Sequence, residues 1–182
     1  MKNIYTLLSI LIISLTVYFS FDDLMPSSVK SIESTGFSFD NALNHLKVIS
    51  KEPHYTGSKY HQDVQNYIVN ELKKMGLETE IQNQVVLSSR RVGTNAANII
   101  GTIKGSRKGK SLVLLTHYDS SAHSSFGASD AGSGVVTILE GFRAFLLNNN
   151  TPVNDIHLVF TDAEEMGLLG AEAFVKNHKL ID

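Results

Sequence analysis

Three short stretches of this 182-residue chain carry the side chains able to do chemistry. They are Thr116-His117-Tyr118-Asp119, Gly127-Ala128-Ser129-Asp130-Ala131-Gly132-Ser133-Gly134 and Thr161-Asp162-Ala163-Glu164-Glu165-Met166-Gly167. Between them they offer an imidazole, metal-type carboxylates and an adjacent pair of glutamates. Hydrolytic zinc sites use that set: neutral imidazole and carboxylate ligands around an open position where water ionises near neutral pH. His117 is the natural first ligand. Asp119, two residues on, could orient the imidazole as a supporting carboxylate. Asp130 is a short carboxylate among small residues, able to approach one metal ion or bridge two. Of Glu164 and Glu165, one could hold metal while the other takes a proton from the attacking water.

Taken singly, each stretch has a plainer reading. A His-x-Asp is frequent, a Glu-Glu pair is commonly a solvated face, and Ser-Asp-Ala-Gly-Ser-Gly makes a polar turn and helix cap. Their order along the chain favours a site, because each falls at a strand or helix boundary.

The elements that must position them are legible as hydrophobic patterns. Ser111–Leu115 and Ile156–Phe160 are short apolar runs, the first expected as a strand covered on both faces. Between them, Val135, Ile138, Leu139, Phe142, Phe145 and Leu146 form the apolar stripe of a helix over 135–147. Strand, helix, strand predicts a right-handed unit with parallel strands. Ligands in such sheets sit beyond the carboxyl ends of the strands. His117 follows one strand end, Glu164 and Glu165 the other, and Asp130 precedes the helix between them. Topology alone gathers the three stretches at one edge.

Upstream, Asp40 is expected to cap a short helix bearing Ala42, Leu43, Leu46 and Ile49. Ser58 is expected to cap a second, with Val64, Tyr67, Ile68, Leu72 and Met75, closed by Lys73, Lys74 and then Gly76. Leu77–Leu87 and Ala97–Ile103 read as strands, and Gly170–Lys179 as a helix. His45, His54, His61 and His178 read as surface or packing residues. His123 lies in a serine-rich loop and His157 at the strand end away from Glu164, so neither is expected as a ligand.

A net charge of −2 without a basic tract gives no footing for nucleic acid. The absence of cysteine removes disulfides and thiolate metal sites. Ile4–Phe21 carries no charge, and as a helix it would reach about 27 Å, near the thickness of a bilayer core. Residues 1–21 therefore read as a transmembrane anchor, with a signal peptide as the alternative. Tyr18-Phe19-Ser20-Phe21 offers a poor cleavage site. Lys2 before the run and Asp22-Asp23 after it orient everything beyond residue 22 across the membrane, on the extracytoplasmic side. Residues 22–36, with Pro26, nearby serines and Gly36, read as a linker, and 37–182 as the globular domain.

The segments LVLLTHYDSS, GASDAGSGVV and VFTDAEEMGLLGA, with EPHYTGS and NIIGTIKGS upstream, resemble the co-catalytic di-zinc aminopeptidases. Within that family the likeness is to the endoplasmic-reticulum metallopeptidase and bacterial membrane-anchored forms, over about residues 40 to 182. The resemblance implies an α/β, three-layer zinc-exopeptidase-like fold with a mostly parallel central sheet, here without its C-terminal strands. It also implies roles: His117 and Glu165 bind zinc, Asp130 bridges two zinc ions, Glu164 is the general base and Asp119 supports His117. The implied substrate is a peptide with a free N-terminus. The family's further acidic ligand and final histidine lie well downstream of the glutamate pair. This chain is thus expected to hold at most one zinc ion, weakly, and to be an inactive and poorly stable part on its own. Two other readings share the fold: a glutaminyl cyclase-like single-zinc acyltransferase, and a non-catalytic binding or scaffold domain.

Overall fold

A computed structural model describes residues 2–24, 36–87, 91–123, 125–147 and 150–180. They fall into two compact units, within Met1–Lys30 and within Ser31–Asp182. The first holds one helix, α1 (Lys2–Leu24). Its stretch Ile4–Phe21 is long and apolar enough to cross a membrane, and none of it is buried. Pro26 and the serines of the expected linker lie outside the described residues.

The second unit runs α2 (Phe39–Ile49), α3 (Lys59–Lys74), β1 (Glu78–Leu87), β2 (Gly93–Ile103), β3 (Leu112–His117), α4 (Ser133–Leu147), β4 (Ile156–Thr161) and α5 (Leu169–Asn177). Local chemistry sets several of these boundaries. Ser38, not Asp40, caps α2, its Oγ accepting the Asn41 N–H at 3.3 Å. Asp40 falls instead in the first turn, where its charge suits the helix dipole. Ser58 caps α3 as expected, through the His61 N–H. Gly76, at φ +81°, takes the left-handed position that ends α3.

The strands lie in the order β1-β2-β4-β3. β3 and β4 are parallel, in register from Leu112–Ile156 to His117–Thr161, with α4 as their crossover. The β1–β2 and β2–β4 pairings are antiparallel. The described sheet is therefore mixed, where a mostly parallel one was expected. β1 and β2 are joined by residues 88–92 alone, too short a link for a parallel return.

β3 differs from expectation as well. It is the edge strand, with Leu112 51% and Leu115 50% exposed, whereas β4 is buried from His157 to Thr161. A continuous apolar run does not distinguish the edge of a sheet from its centre.

α2, α3 and α4 cover one face of the sheet around Ile68, Leu72, Ile99, Leu139, Leu158 and Phe160. α5 covers the other through Phe174 against Ile100 and Val159. Successive residues of β4 thus feed opposite cores, which gives the three-layer α/β architecture. Each fully buried Leu, Ile or Phe contributes about 1.5–3 kcal/mol.

An ion pair ties the start of α2 to α4. Glu140 is buried and accepts from the Ser38 N–H at 2.7 Å and from Arg143 Nε and Nη2, both at 2.5 Å. Arg143 also donates to Gly36 O at 3.1 Å. Burial pushes the Glu140 pKa up, but the bonds from Arg143 and Ser38 bring it below the ordinary 4.5. The unfolded carboxyl therefore binds a proton more readily than the folded one. The stabilisation is full above the unfolded value and lost as pH falls through the lower folded value. Glu140→Gln is expected to cost stability at neutral pH and to flatten the acid limb of a stability-versus-pH curve, measured by denaturant melts.

Candidate metal centre

β3 and β4 end level with each other, His117 opposite Thr161, and the Tyr118 N–H continues the ladder to Thr161 O at 3.0 Å. Alternation past the strand end sends His117 and Asp119 to one side and Tyr118 into the core, where it is 1% exposed. The buried Asp119 carboxylate bridges the two strand ends. Its Oδ1 accepts the Glu164 N–H at 3.0 Å and its Oδ2 the Glu165 N–H at 3.2 Å. Oδ1 also lies 3.4 Å from His117 Nδ1, the support expected from sequence. The hold on the glutamate amides was not expected, because it joins groups 45 and 46 residues apart.

His117 Nδ1 faces Asp119 O at 3.0 Å. A carbonyl only accepts, which assigns the proton to Nδ1. Nε2 then points at Asp130 Oδ1, 2.8 Å away, with Glu164 Oε2 at 3.7 Å. In the neutral ring that places a lone pair against a carboxylate oxygen. Two acceptors so close need a cation between them, either a second proton or a metal ion. Burial works against charge on His117, but the bonds to Asp119 and Asp130 and the nearby Glu164 outweigh it and raise its pKa to about 9. The spot is arranged to hold positive charge.

Asp130 belongs to a π-type turn over Ala128–Gly132, just ahead of α4, and its side chain is 74% exposed. Glu165 has its pKa raised, first by burial and then by the charges of Asp130 and Asp119. The structure brings His117, Asp130 and Glu164 to one point and sets Glu165 beside it. Among the described residues, no three such side chains stand at the mutual spacing of a finished metal cage. The donor types fit zinc: one imidazole with its far nitrogen tied to an oxygen, and crowded carboxylates. A cavity of about 310 Å³ adjoins them, lined by Tyr55, Thr56, Asp119, Glu165 and Met166 among others.

The remaining histidines stay away from this point. His54, His61, His157 and His178 are buried rather than at the surface, and His45 bonds Tyr67 at 2.6 Å. His61 proves to be more than packing, as described below.

Residues 98–182 match the model of peptidase family M28. The chain is 30% identical to a vacuolar membrane protease of Candida tropicalis over 96% of its own length, and spans 20% of that relative. Among solved structures it is similar to a leucine aminopeptidase precursor from Bacteroides thetaiotaomicron, with 26% identity and a TM-score of 0.67, over 81% of this chain and 59% of that one. A glutaminyl cyclase of the same organism gives 27% identity and a TM-score of 0.67, over 79% and 57%.

Proposed function

Residues 98–182 belong to peptidase family M28, and from that premise we propose that this chain supplies part of the zinc centre of an aminopeptidase. Its substrate is a peptide with a free N-terminus. The observation that carries the reading is the His117 Nε2–Asp130 contact, two acceptors that require a cation. The membrane proteases among its relatives and the apolar α1 support a membrane-anchored protein with the peptidase unit on the extracytoplasmic side.

His117, Asp130 and Glu165 would hold zinc, with Asp130 placed to bridge two ions. Bound zinc supplies a Lewis acid that polarises the peptide carbonyl and acidifies water. Glu164 takes the proton of the attacking water and passes it to the leaving amine. Asp119 fixes the backbone of both glutamates and the tautomer of His117. The cavity beside Glu165 receives the substrate residue next to the cleaved bond.

One imidazole and two carboxylates hold a single ion weakly, and a second ion needs further ligands. Calorimetric zinc titration of the chain is expected to give no more than one equivalent, with little or no turnover of an aminoacyl chromogenic substrate. His117→Ala should abolish the binding. A titration indifferent to both His117→Ala and Asp130→Ala would sink the proposal. The likeness to a glutaminyl cyclase favours a second reading, ring closure of an N-terminal glutamine. A glutaminyl peptide separates the two once the centre is complete: hydrolysis frees an amino acid, whereas cyclisation frees ammonia.

A further inference from the structure

On the core side of the candidate centre, one side chain of α3 touches both strand-end turns at once. His61 stacks on Tyr118 with ring centroids 5.0 Å apart and planes 17° from parallel. Its Nε2–H donates to Asp162 Oδ1 at 2.8 Å. Tyr118 lies between His117 and Asp119, and Asp162 immediately precedes Ala163, Glu164 and Glu165. His61 therefore spans the turn after β3 and the turn after β4.

Its partners have little freedom of their own. Tyr118 donates its hydroxyl to Ala97 O at 2.9 Å and accepts from Gln65, one turn along α3, at 3.2 Å. Asp162 is 0% exposed. Its Oδ1 also accepts from Thr56 Oγ1 at 2.9 Å and the Ala163 N–H at 2.7 Å, and its Oδ2 from the Ala97 N–H at 2.9 Å. Ala163 sits at φ +54°, a conformation that a residue with a side chain keeps only when its surroundings hold it. The bond to Asp162 is that hold. Removing one donor from such a buried carboxylate costs far more than the bond adds, because the charge is left partly unpaired.

We infer that His61 is a positioning residue for the zinc centre. Through Tyr118 and Asp162 it sets the separation between His117 on one turn and Glu164 and Glu165 on the other. The inference rests on the proposed reading that these residues hold and use zinc. His61 is no ligand itself, since its Nε2 is committed to Asp162 and its ring is buried against Tyr118.

Three variants divide the two contacts. His61→Phe keeps a stacking ring without the donor, His61→Gln keeps a donor without the ring, and His61→Ala keeps neither. Two readouts apply to the chain as it stands: zinc affinity by calorimetry, and hydrogen exchange at the Glu164 and Glu165 amides that donate to Asp119. His61→Ala is expected to weaken zinc binding about tenfold or more. It should also speed exchange at those two amides well beyond any change in α2 and α4, with Phe and Gln each recovering part of both effects. Exchange that rises evenly through the unit, no change at Glu164 and Glu165, or Phe and Gln variants no better than Ala would overturn the inference. If the Ala variant does not fold, the Phe and Gln variants decide against wild type. Should wild type bind no zinc, the proposed function falls, and the exchange measurement still decides the role of His61.

Discussion

Zinc-dependent release of an N-terminal residue is expected to fall about 10²–10⁴-fold when Glu164 becomes glutamine, with zinc affinity nearly unchanged. The amide matches the carboxylate in size, and the backbone hold from Asp119 does not involve the side chain. Only the capacity to accept a proton is lost. Glu165→Gln should show the opposite split, because a ligand charge is removed: weaker zinc binding first, and lower turnover as its consequence. The comparison needs a polypeptide whose zinc centre is complete, with turnover read at saturating metal and affinity read separately. If Glu164→Gln lost its zinc while Glu165→Gln lost turnover with zinc retained, the two roles would have to be exchanged.

Gly170→Ala is the substitution expected to damage folding most. A Cβ there would lie 2.1 Å from Asp162 O, 2.4 Å from Asn98 Oδ1 and 2.7 Å from Asp162 N. Two of those atoms are backbone, and Asn98 is pinned from both ends. Its Oδ1 accepts the Asp162 N–H at 2.9 Å while its Nδ2 donates to Gly170 O at 2.8 Å. Nothing can move aside without pushing Asp162 away from His61. A loss of about 3 kcal/mol follows, seen as a melting temperature lower by about 6–12 °C. Gly141 in α4 is the control, since a Cβ there meets nothing within 4 Å. Gly141→Ala should leave stability unchanged or raise it by about 0.5–1 kcal/mol. Equal melts for the two alanine variants would show that the start of α5 yields.

The parts of this fold written in local chemistry were the legible ones. Ser58 and Gly76 announced both ends of α3, and the apolar stripe of α4 between two short runs gave the parallel β3–β4 unit. That unit was enough to place His117, Asp130 and Glu164 at one edge. What escaped depends on partners far along the chain. Strand order is one case: β4 inserts between β2 and β3, and no local pattern tells the edge strand from the buried one. The cap of α2 is another, because Ser38 and Asp40 are both good capping residues and only the backbone chooses. His61 is the clearest. On sequence it is a polar residue in the first turn of a helix, and its meaning comes from Tyr118 and from Asp162, 101 residues away.

β3 ends the described sheet with one row of amides and carbonyls that no strand of the described residues pairs. Leu112, Val113 and Leu115 stand exposed along it, with no lysine or proline within the strand to blunt it. Such a border is a template for growth: a second molecule can add its own strand at the usual spacing of about 4.8 Å, and a third can follow. Concentration, more than heat, is then what threatens this chain in solution. Its colloidal fate is decided along Leu112–His117, the same strand that delivers His117 to the zinc centre.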